Sequence, residues 1–227
     1  MSKSEKIFNI AWDCDGVFLE SHEPVLKIAN EKLSNYLKRE ITLTKSNLTV
    51  WTALYEHALN LTGNESFALE IRQLWFDPEV LRLSPPNFAA VEVFNRCQNL
   101  PNTKQHLITT RIFECRQSTQ DSLEAHLLDF DWQHDLHLRS KFSKLSGDEF
   151  KVQQLKKHRI NLMNEDNTDT VSKITIELPQ CHIIYFNQPW NSSDRDLQRS
   201  QIRVDFDNTE AIFQRILEAR DKFLNSF

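Results

Sequence analysis

The 227-residue sequence contains few glycines and few cysteines, and it has no long apolar run. The four cysteines, Cys14, Cys97, Cys115 and Cys181, form no CxxC pair. Such scattered thiols argue against a disulfide framework and against a zinc site, and they favour a reducing compartment. No apolar run has the length of a membrane-spanning helix, and the polar N-terminus shows no secretory signal. We therefore expect a cytoplasmic protein that has no membrane partner.

Positive charge is also scarce. The chain carries 27 Lys and Arg against 32 Asp and Glu, which gives a formal net charge of -5. Proteins that bind nucleic acid through its phosphates usually present a broad basic surface. The densest basic cluster, residues 156–159, is short enough to be a solvated helix end. We therefore expect no nucleic-acid partner.

An apolar segment near the N-terminus ends in two carboxylates and one of only three glycines. Residues 7–12 are mostly apolar, and Asp13, Asp15 and Gly16 follow them closely. Side chains on a strand alternate with period two, so Asp13 and Asp15 point the same way and Cys14 points away. Crowding two carboxylates at the tip of a buried strand costs free energy unless a cation or a reaction uses them. The pattern indicates a site for metal-assisted phosphoryl transfer.

Strand-length apolar segments mostly alternate with helix-period segments, which predicts an α/β fold with a parallel sheet covered on both faces. The predicted strands are residues 7–12, 105–109, 134–139, 160–163 and 181–186. About ninety residues separate the first two strands, far more than one crossover helix needs. Helical spacing of apolar residues in this interval predicts an inserted helical domain. Its expected bounds are 21–86, and 1–20 with 87–227 form the core domain.

Local signals also predict where helices begin. Asn64 is a predicted N-cap, and Ser118 with Asp121 resembles a capping box. Thr209 is expected to cap a C-terminal helix. A second Asp-x-Asp motif, residues 205–207, lacks a following glycine and precedes this helix, so capping explains it better than catalysis.

Further polar side chains follow, or lie close to, the ends of predicted strands. They are Asp13 and Asp15 after the first strand, Thr109, Thr110 and Arg111 after the second, Lys151 on the helix before the fourth, and Glu165 and Asp166 after the fourth. In an open α/β sheet, ligands bind outside the carboxyl ends of the strands. We therefore expect these side chains to surround one site.

In type and order these motifs resemble those of the haloacid dehalogenase (HAD) superfamily of phosphohydrolases. DCDGV is similar to the first family motif, LITTR to the second, FKVQQL to the third and NEDNTD to the fourth. The resemblance implies a Rossmannoid α/β core, and the insertion lies where the family carries a helical C1 cap. The segments WFDPEV, SPP and FNQPWN are similar to parts of the 5'(3')-deoxyribonucleotidase-like branch.

The resemblance implies a Mg²⁺-dependent phosphatase that acts on a small phosphorylated metabolite, such as a nucleoside monophosphate. Asp13 would be the nucleophile that forms an aspartyl-phosphate, and Asp15 would be the general acid and base. Thr109 would donate a hydrogen bond to a phosphoryl oxygen. Lys151 would neutralise charge on the phosphoryl group and on Asp13.

The same resemblance implies the ligands of the metal and of the substrate. Mg²⁺ would be held by the Asp13 carboxylate, the Asp15 main-chain oxygen and the Asp166 carboxylate. Thr110 and Arg111 would bind the substrate.

The residues alone leave several of these assignments open. Thr110 competes with Thr109 as the donor, and Lys144 competes with Lys151. Alternatives to Asp166 as the metal ligand are Glu165 and Asp169. A phosphomutase, another transfer on the same scaffold and a non-catalytic binding protein are the alternative functions.

Histidines and aromatic residues elsewhere in the chain have simpler interpretations than a role in binding or catalysis. The eight histidines show no HxxxH or HxH spacing, and we expect His134 and His137 to be solvent-facing strand residues rather than zinc ligands. Four aromatic residues of the insertion fit its own apolar core better than a surface that stacks on a base. They are Trp51, Tyr55, Trp75 and Phe76.

Overall fold

The structure is a computed structural model that describes residues 6–50, 52–191, 201–204 and 208–226. In these residues six strands form one sheet of order β3-β2-β1-β4-β5-β6, and all neighbouring strands are parallel. The strands are β1 Phe8–Trp12, β2 Thr103–Ile112, β3 Leu136–Arg139, β4 Leu162–Glu165, β5 His182–Phe186 and β6 Gln201–Val204. The predicted α/β fold is confirmed. Sequence patterning missed β6, since four residues are too few to give a clear period of two.

Helices occupy most of the chain between the strands. They are α1 His22–Leu37, α2 Ala53–Thr62, α3 Glu65–Gln73, α4 Pro78–Arg82, α5 Phe88–Gln98, α6 Arg116–Leu123, α7 Gly147–Lys157, α8 Thr168–Glu177 and α9 Thr209–Asn225. Across the described ranges, no helix combines the length and the apolar character that crossing a bilayer demands.

The sheet is covered on both faces, because alternate residues of its central strand face opposite ways. Ile10 and Trp12 pack in one apolar cluster with residues of α5 and α9. Ala11 packs in the other cluster with residues of α7 and α8. Because β1 pairs in parallel with both β2 and β4, the carboxyl ends of these three strands meet at one edge of the sheet.

Helices α1–α4 lie between β1 and β2 and have an apolar cluster of their own, which includes Leu33, Leu54 and Ile71. The chain enters and leaves this helical segment side by side. The Glu20 amide donates to the Pro85 carbonyl at 2.9 Å, and the Asn87 amide donates to the Phe18 carbonyl at 2.7 Å. The division into two domains stays a prediction.

The helix caps in the structure agree with the caps predicted from the sequence only in part. Asn64 accepts a hydrogen bond from the Phe67 amide, which confirms it as the N-cap of α3. The capping box at Ser118 and Asp121 is wrong: α6 begins at Arg116, and the Ser118 hydroxyl donates to the Cys115 carbonyl instead. The cap of α9 is Asn208 rather than Thr209. Residues 205–207 and Trp51 lie outside the described residues.

Neither of the two histidines is fully where the sequence predicted. His134 is exposed, as expected, but it lies in the turn before β3 rather than on a strand. His137 lies on β3 but is half-buried, and its Nε2 lies 3.3 Å from Nδ1 of His106. The reason is that α7 covers this face of β2 and β3, which strand periodicity alone does not reveal.

Candidate active site

A tight turn after β1 brings the first acids to the carboxyl edge of the sheet. The Asp13 amide donates to the Asn164 carbonyl at 2.9 Å, which continues the pairing of β1 with β4. Gly16 has a φ of 79°, a conformation that favours glycine. A Cβ atom on Gly16 would lie 2.2 Å from Asp166 Oδ2. The glycine therefore permits both the turn and the close approach of Asp166.

Lys151 connects two carboxylates from different strands. Its Nζ lies 2.8 Å from Asp13 Oδ2 and 2.7 Å from Glu165 Oε2, and the side chain is buried. Burial alone would lower the pKa of Lys151, but the two carboxylates outweigh it and hold the pKa above its usual value. The competing Lys144 is exposed. Helix α7 thus delivers a charged ammonium group to the acids.

Three buried carboxylates form a cluster around this lysine. Oxygen atoms of Asp13, Glu165 and Asp166 lie within 4.8 Å of one another. Burial, followed by the charge of Glu165, raises the pKa of Asp13 to about 8. The same two causes raise the pKa of Asp166 well above its usual value. If all three are ionised, Lys151 leaves a net charge of -2, which matches a divalent cation.

The three carboxylates differ in how many hydrogen bonds they already accept. Glu165 Oε1 accepts from the amides of Asp166 and Asn167 at 3.1 Å each, and its Oε2 accepts from Lys151. Asp166 Oδ1, by contrast, is buried and has no hydrogen-bond partner in the described part of the chain. A buried carboxylate oxygen of this kind suits a hard cation such as Mg²⁺. Asp13 and Asp166 therefore fit as metal ligands, while Glu165 orients Lys151.

The segment after β5 holds Asp166 in place. Trp190 Nε1 donates to Asp166 Oδ2 at 2.9 Å, and Asn191 Nδ2 donates to the Asp166 carbonyl at 2.8 Å. Gln188 Nε2 donates to the Gly16 carbonyl at 2.8 Å. Sequence reasoning singled out FNQPWN but did not foresee this supporting role.

Asp15 is held by an arginine rather than by the carboxylate cluster. Arg111 donates from Nε to Asp15 Oδ2 at 2.8 Å and from Nη2 to Oδ1 at 2.6 Å, and the Ser21 hydroxyl also donates to Oδ1. Burial raises the pKa of Asp15, but Arg111 and Ser21 outweigh it and lower the pKa. Asp15 is therefore ionised in this arrangement. Ser21 was missed because no motif includes it.

The two threonines after the second predicted strand have different surroundings. Thr109 is fully buried, and its Oγ1 accepts from the Arg111 amide at 3.2 Å. Thr110 lines the cavity next to Asp13 and Asp15. The β2–β3 register shifts between Thr109 and Ile112, an irregularity of the kind that re-aims side chains beside active sites.

A cavity of about 470 Å³ opens over these residues and is shared by the sheet and the helical segment. Predicted site residues that line it are Asp13, Asp15, Thr110, Arg111, Lys151 and the alternative Asp169. Thr52, Arg72, Trp75 and Phe76 line it from the helical segment. Arg139, at the end of β3, also lines it. Neither Arg72 nor Arg139 was foreseen, since a single cation on an exposed helix or at the end of a strand carries no sequence signal.

No protein-family model and no curated protein sequence matches the chain. Solved structures do match it over almost its whole length. A predicted phosphatase from Clostridium acetobutylicum has a TM-score of 0.63 at 14% identity and covers 94% of this chain and 100% of its own. A haloacid dehalogenase-like hydrolase from Streptococcus pneumoniae has a TM-score of 0.60 at 13% identity, with 92% and 99% covered.

The chain has a haloacid dehalogenase-like fold. A predicted phosphoglycolate phosphatase from Haemophilus somnus has the same fold, with a TM-score of 0.59, 13% identity, and 92% and 99% of the two chains covered. Within the haloacid dehalogenase-like fold of this chain, the carboxylate cluster lies at the carboxyl edge of the sheet, where ligands bind in open α/β folds.

Proposed function

We propose that the protein is a metal-dependent phosphatase that hydrolyses a small phosphate monoester. The observation that carries this proposal is the buried cluster of Asp13, Glu165 and Asp166, bridged by Lys151 beside a cavity. A phosphoryl group is anionic, so a site that hydrolyses its ester must hold positive charge close to it. Lys151 supplies one such charge, and a cation in the carboxylate cluster would supply more.

Asp13 is the proposed nucleophile. Its carboxylate attacks phosphorus, the bond to the ester oxygen breaks, and water then hydrolyses the aspartyl-phosphate. Nucleophilic attack requires the ionised carboxylate, whereas burial raises the pKa of Asp13 to about 8. The rise would be larger without the ammonium of Lys151, which lies 2.8 Å from Asp13 and favours the reactive form.

Asp15 is the proposed proton donor and acceptor. The bidentate contact with Arg111 keeps Asp15 ionised, which suits removal of a proton from water in the second step. Protonation of the leaving oxygen in the first step requires a neutral Asp15. We propose that the phosphoryl group draws Arg111 toward itself, so that the loosened Asp15 takes up a proton.

Mg²⁺ fits the carboxylate cluster, where Asp13 and Asp166 would hold it and the main-chain oxygen of Asp15 would complete the protein ligands implied by the family resemblance. When bound, the ion supplies positive charge that stabilises the phosphoryl oxygens. Glu165 keeps Lys151 beside Asp13, and Trp190 fixes the orientation of Asp166.

Residues 21–86 are the proposed cap, and the cavity between cap and core suggests the kind of leaving group. Arg72 and Arg139 place two cations on its wall, and Arg72 has no ion pair in the described ranges. A phosphate ester with a second anionic group, as in phosphoglycolate, would complement them. Trp75 and Phe76 also line the cavity and would suit a base. The solved structures give no support to the nucleotidase-like branch, so nucleoside monophosphates are one class to test among several.

The test is hydrolysis of p-nitrophenyl phosphate and of a panel of metabolite phosphates by tag-free protein. We expect activity with Mg²⁺, loss of activity with EDTA and recovery when Mg²⁺ is restored. Asp166→Asn should abolish the Mg²⁺-dependent rate, whereas Asp169→Asn, on the cavity wall, should retain most of it. Folded wild-type protein that releases no phosphate from any ester with Mg²⁺ would refute the proposal. Transfer of the phosphoryl group to a second sugar position, without free phosphate, would indicate a mutase.

A further inference from the structure

Three histidines from separate elements meet on the α7 face of the sheet. His106 lies on β2, His137 lies on β3, and His158 directly follows α7. Lys151 and His158 are seven residues apart, which corresponds to about 10 Å along a helix axis. Arg111 and His106 are five residues apart on β2, or about 16 Å. The histidine cluster is therefore separate from the carboxylate cluster.

The spacing of the imidazole rings suits a shared metal ion. One nitrogen of each ring lies within 4.8 Å of those of the other two, and His106 Nδ1 lies 3.3 Å from His137 Nε2. Zinc–nitrogen bonds of about 2.0–2.1 Å in a tetrahedron place neighbouring nitrogens about 3.3–3.4 Å apart. One edge of the triangle already has this length, and the other two, each at most 4.8 Å long, need to shorten by no more than about 1.5 Å, which rotation of the side chains supplies.

The protonation of His137 and His158 favours binding of a cation. Burial, followed by the neighbouring His158 and His106, lowers the pKa of His137 to about 3. Burial and His106 lower the pKa of His158 as well. Neutral imidazoles keep a lone pair for a metal. His158 Nε2 is buried and has no hydrogen-bond partner in the part of the chain that the structure describes.

An acid stands beside the cluster. Asp135 Oδ1 lies 3.3 Å from His106 Nδ1, and Lys104 Nζ holds the same oxygen at 2.8 Å. Asp135 therefore contacts the same nitrogen of His106 that faces His137, so a metal ion bound at Nδ1 would replace this contact. Asp135 also offsets the positive charge of Lys104.

We propose that His106, His137 and His158 bind a divalent transition-metal ion of the Zn²⁺ type at a second metal site. Three imidazole nitrogens select such an ion over Mg²⁺, which prefers the oxygens of the carboxylate cluster. His137 and His158 are only partly buried, so a fourth position is open to water. The ion fastens the end of α7 to β2 and β3, and α7 is the helix that carries Lys151.

The test is whether tag-free protein binds Zn²⁺ in excess Mg²⁺. Equilibrium dialysis with metal analysis measures the binding, and the visible spectrum of Co²⁺, used in place of Zn²⁺, reports the coordination. The His137→Gln/His158→Gln double variant should bind Zn²⁺ more than about 100-fold more weakly. It loses two of the three proposed ligands, whereas loss of a residue that only supports a ligand typically costs about 10–100-fold. The matched controls, exposed His134→Gln and the carboxylate-cluster variant Asp166→Asn, should bind like wild type.

A measurement on the wild-type protein tests the proposal even if the double variant fails to fold. Titration with Zn²⁺ should shift the imidazole ¹⁵N resonances of His106, His137 and His158, and should leave those of His134 unchanged. The proposal is overturned if folded wild type binds no Zn²⁺ in excess Mg²⁺, if these resonances do not move, or if Asp166→Asn alone removes the bound Zn²⁺. Absence of phosphatase activity would refute the proposed function and leave this site standing.

Discussion

Lys151 sets the electrostatics of the candidate active site at the scale of single residues. It is the cation that contacts both Asp13 and Glu165, and all three side chains are buried. Removal of one partner from a buried ionic group leaves charge without compensation and typically costs about 3–5 kcal/mol. In the proposed reaction the same ammonium would stabilise charge on the transferred phosphoryl group.

Lys151→Gln is therefore expected to reduce both stability and activity. We expect the free energy of unfolding to fall by about 3 kcal/mol, because protonation of the acids relieves part of the lost compensation. Urea denaturation and the rate of p-nitrophenyl phosphate hydrolysis measure the two effects. Lys144→Gln is the matched control, since Lys144 is exposed, and it should behave like wild type. Equal stability and activity of the two variants would contradict the role given to Lys151.

The sequence pattern predicted which residues belong to the candidate site better than it predicted which side chains each of them contacts. The order of motifs predicted that Asp13, Lys151 and Asp166 lie close together, but spacing alone did not choose between Lys151 and Lys144. The Arg111–Asp15 contact was not foreseen, because it joins residues that are 96 positions apart. Side-chain pairing of this kind depends on how two loops approach, and no local pattern encodes that.

Gly16 illustrates how an element boundary shapes the site at the scale of secondary structure. The turn after β1 requires a positive φ, and a Cβ at this position would overlap Asp166. Gly63, the C-cap of α2, has a φ of 63° but no atom within 4 Å of its virtual Cβ. A substitution at Gly63 would therefore cause backbone strain alone, whereas a substitution at Gly16 would cause both backbone strain and overlap with Asp166.

Gly16→Ala is expected to cost more stability than Gly63→Ala, and to lower Mg²⁺ affinity as well. The left-handed conformation costs a non-glycine residue about 1–2 kcal/mol, which applies to both variants. Only Gly16→Ala also displaces Asp166. Chemical denaturation measures the stability, and calorimetric titration with Mg²⁺ measures the affinity. If Gly16→Ala binds Mg²⁺ as tightly as Gly63→Ala does, Asp166 does not depend on this turn.

The element boundaries show why polar strands are hard to predict. The fourth strand was expected at 160–163, but β4 extends over Leu162–Glu165. Asn164 and Glu165 belong to it because their side chains have buried partners, the Ala11 carbonyl and Lys151 respectively. Hydrophobic patterning treats such residues as loop, since it does not register a polar group that is satisfied inside the fold.

At the scale of the whole molecule, the sheet supplies the acids and the helical segment supplies part of the cavity wall. The length of the first crossover predicted the helical segment. The wall residues Arg72 and Phe76 depend on how that segment lies over the sheet, which the sequence does not specify. The histidine cluster escaped prediction for the same reason, because its members come from β2, β3 and the end of α7.

His22, at the start of α1, should by itself contribute a loss of stability on mild acidification. Burial, and then Lys45, lowers the pKa of His22 to about 4, against 6.5 for an ordinary histidine. Between these values the unfolded chain binds a proton that the folded chain does not, so the contribution is present at pH 7 and is lost as pH falls. We expect about 1 kcal/mol between pH 7 and pH 5, allowing for solvent screening. Urea denaturation at both pH values measures it.

His22→Gln should remove this loss, so that its stability at pH 5 relative to pH 7 exceeds that of wild type by about 1 kcal/mol, and exposed His134→Gln should show no such change. An unchanged difference in His22→Gln would mean that His22 is protonated in the folded protein. Comparison of variant with wild type is necessary, because the acids with raised pKa values, such as Asp13, gain stability over the same interval.

The most direct test of the proposed function is the rate of phosphate release by Asp13→Asn with saturating Mg²⁺ and p-nitrophenyl phosphate. The substitution keeps the size of the side chain and removes the nucleophile. We predict that the folded variant loses at least about 1,000-fold of the wild-type rate. A folded Asp13→Asn protein that retains more than roughly a tenth of that rate would contradict Asp13 as the nucleophile.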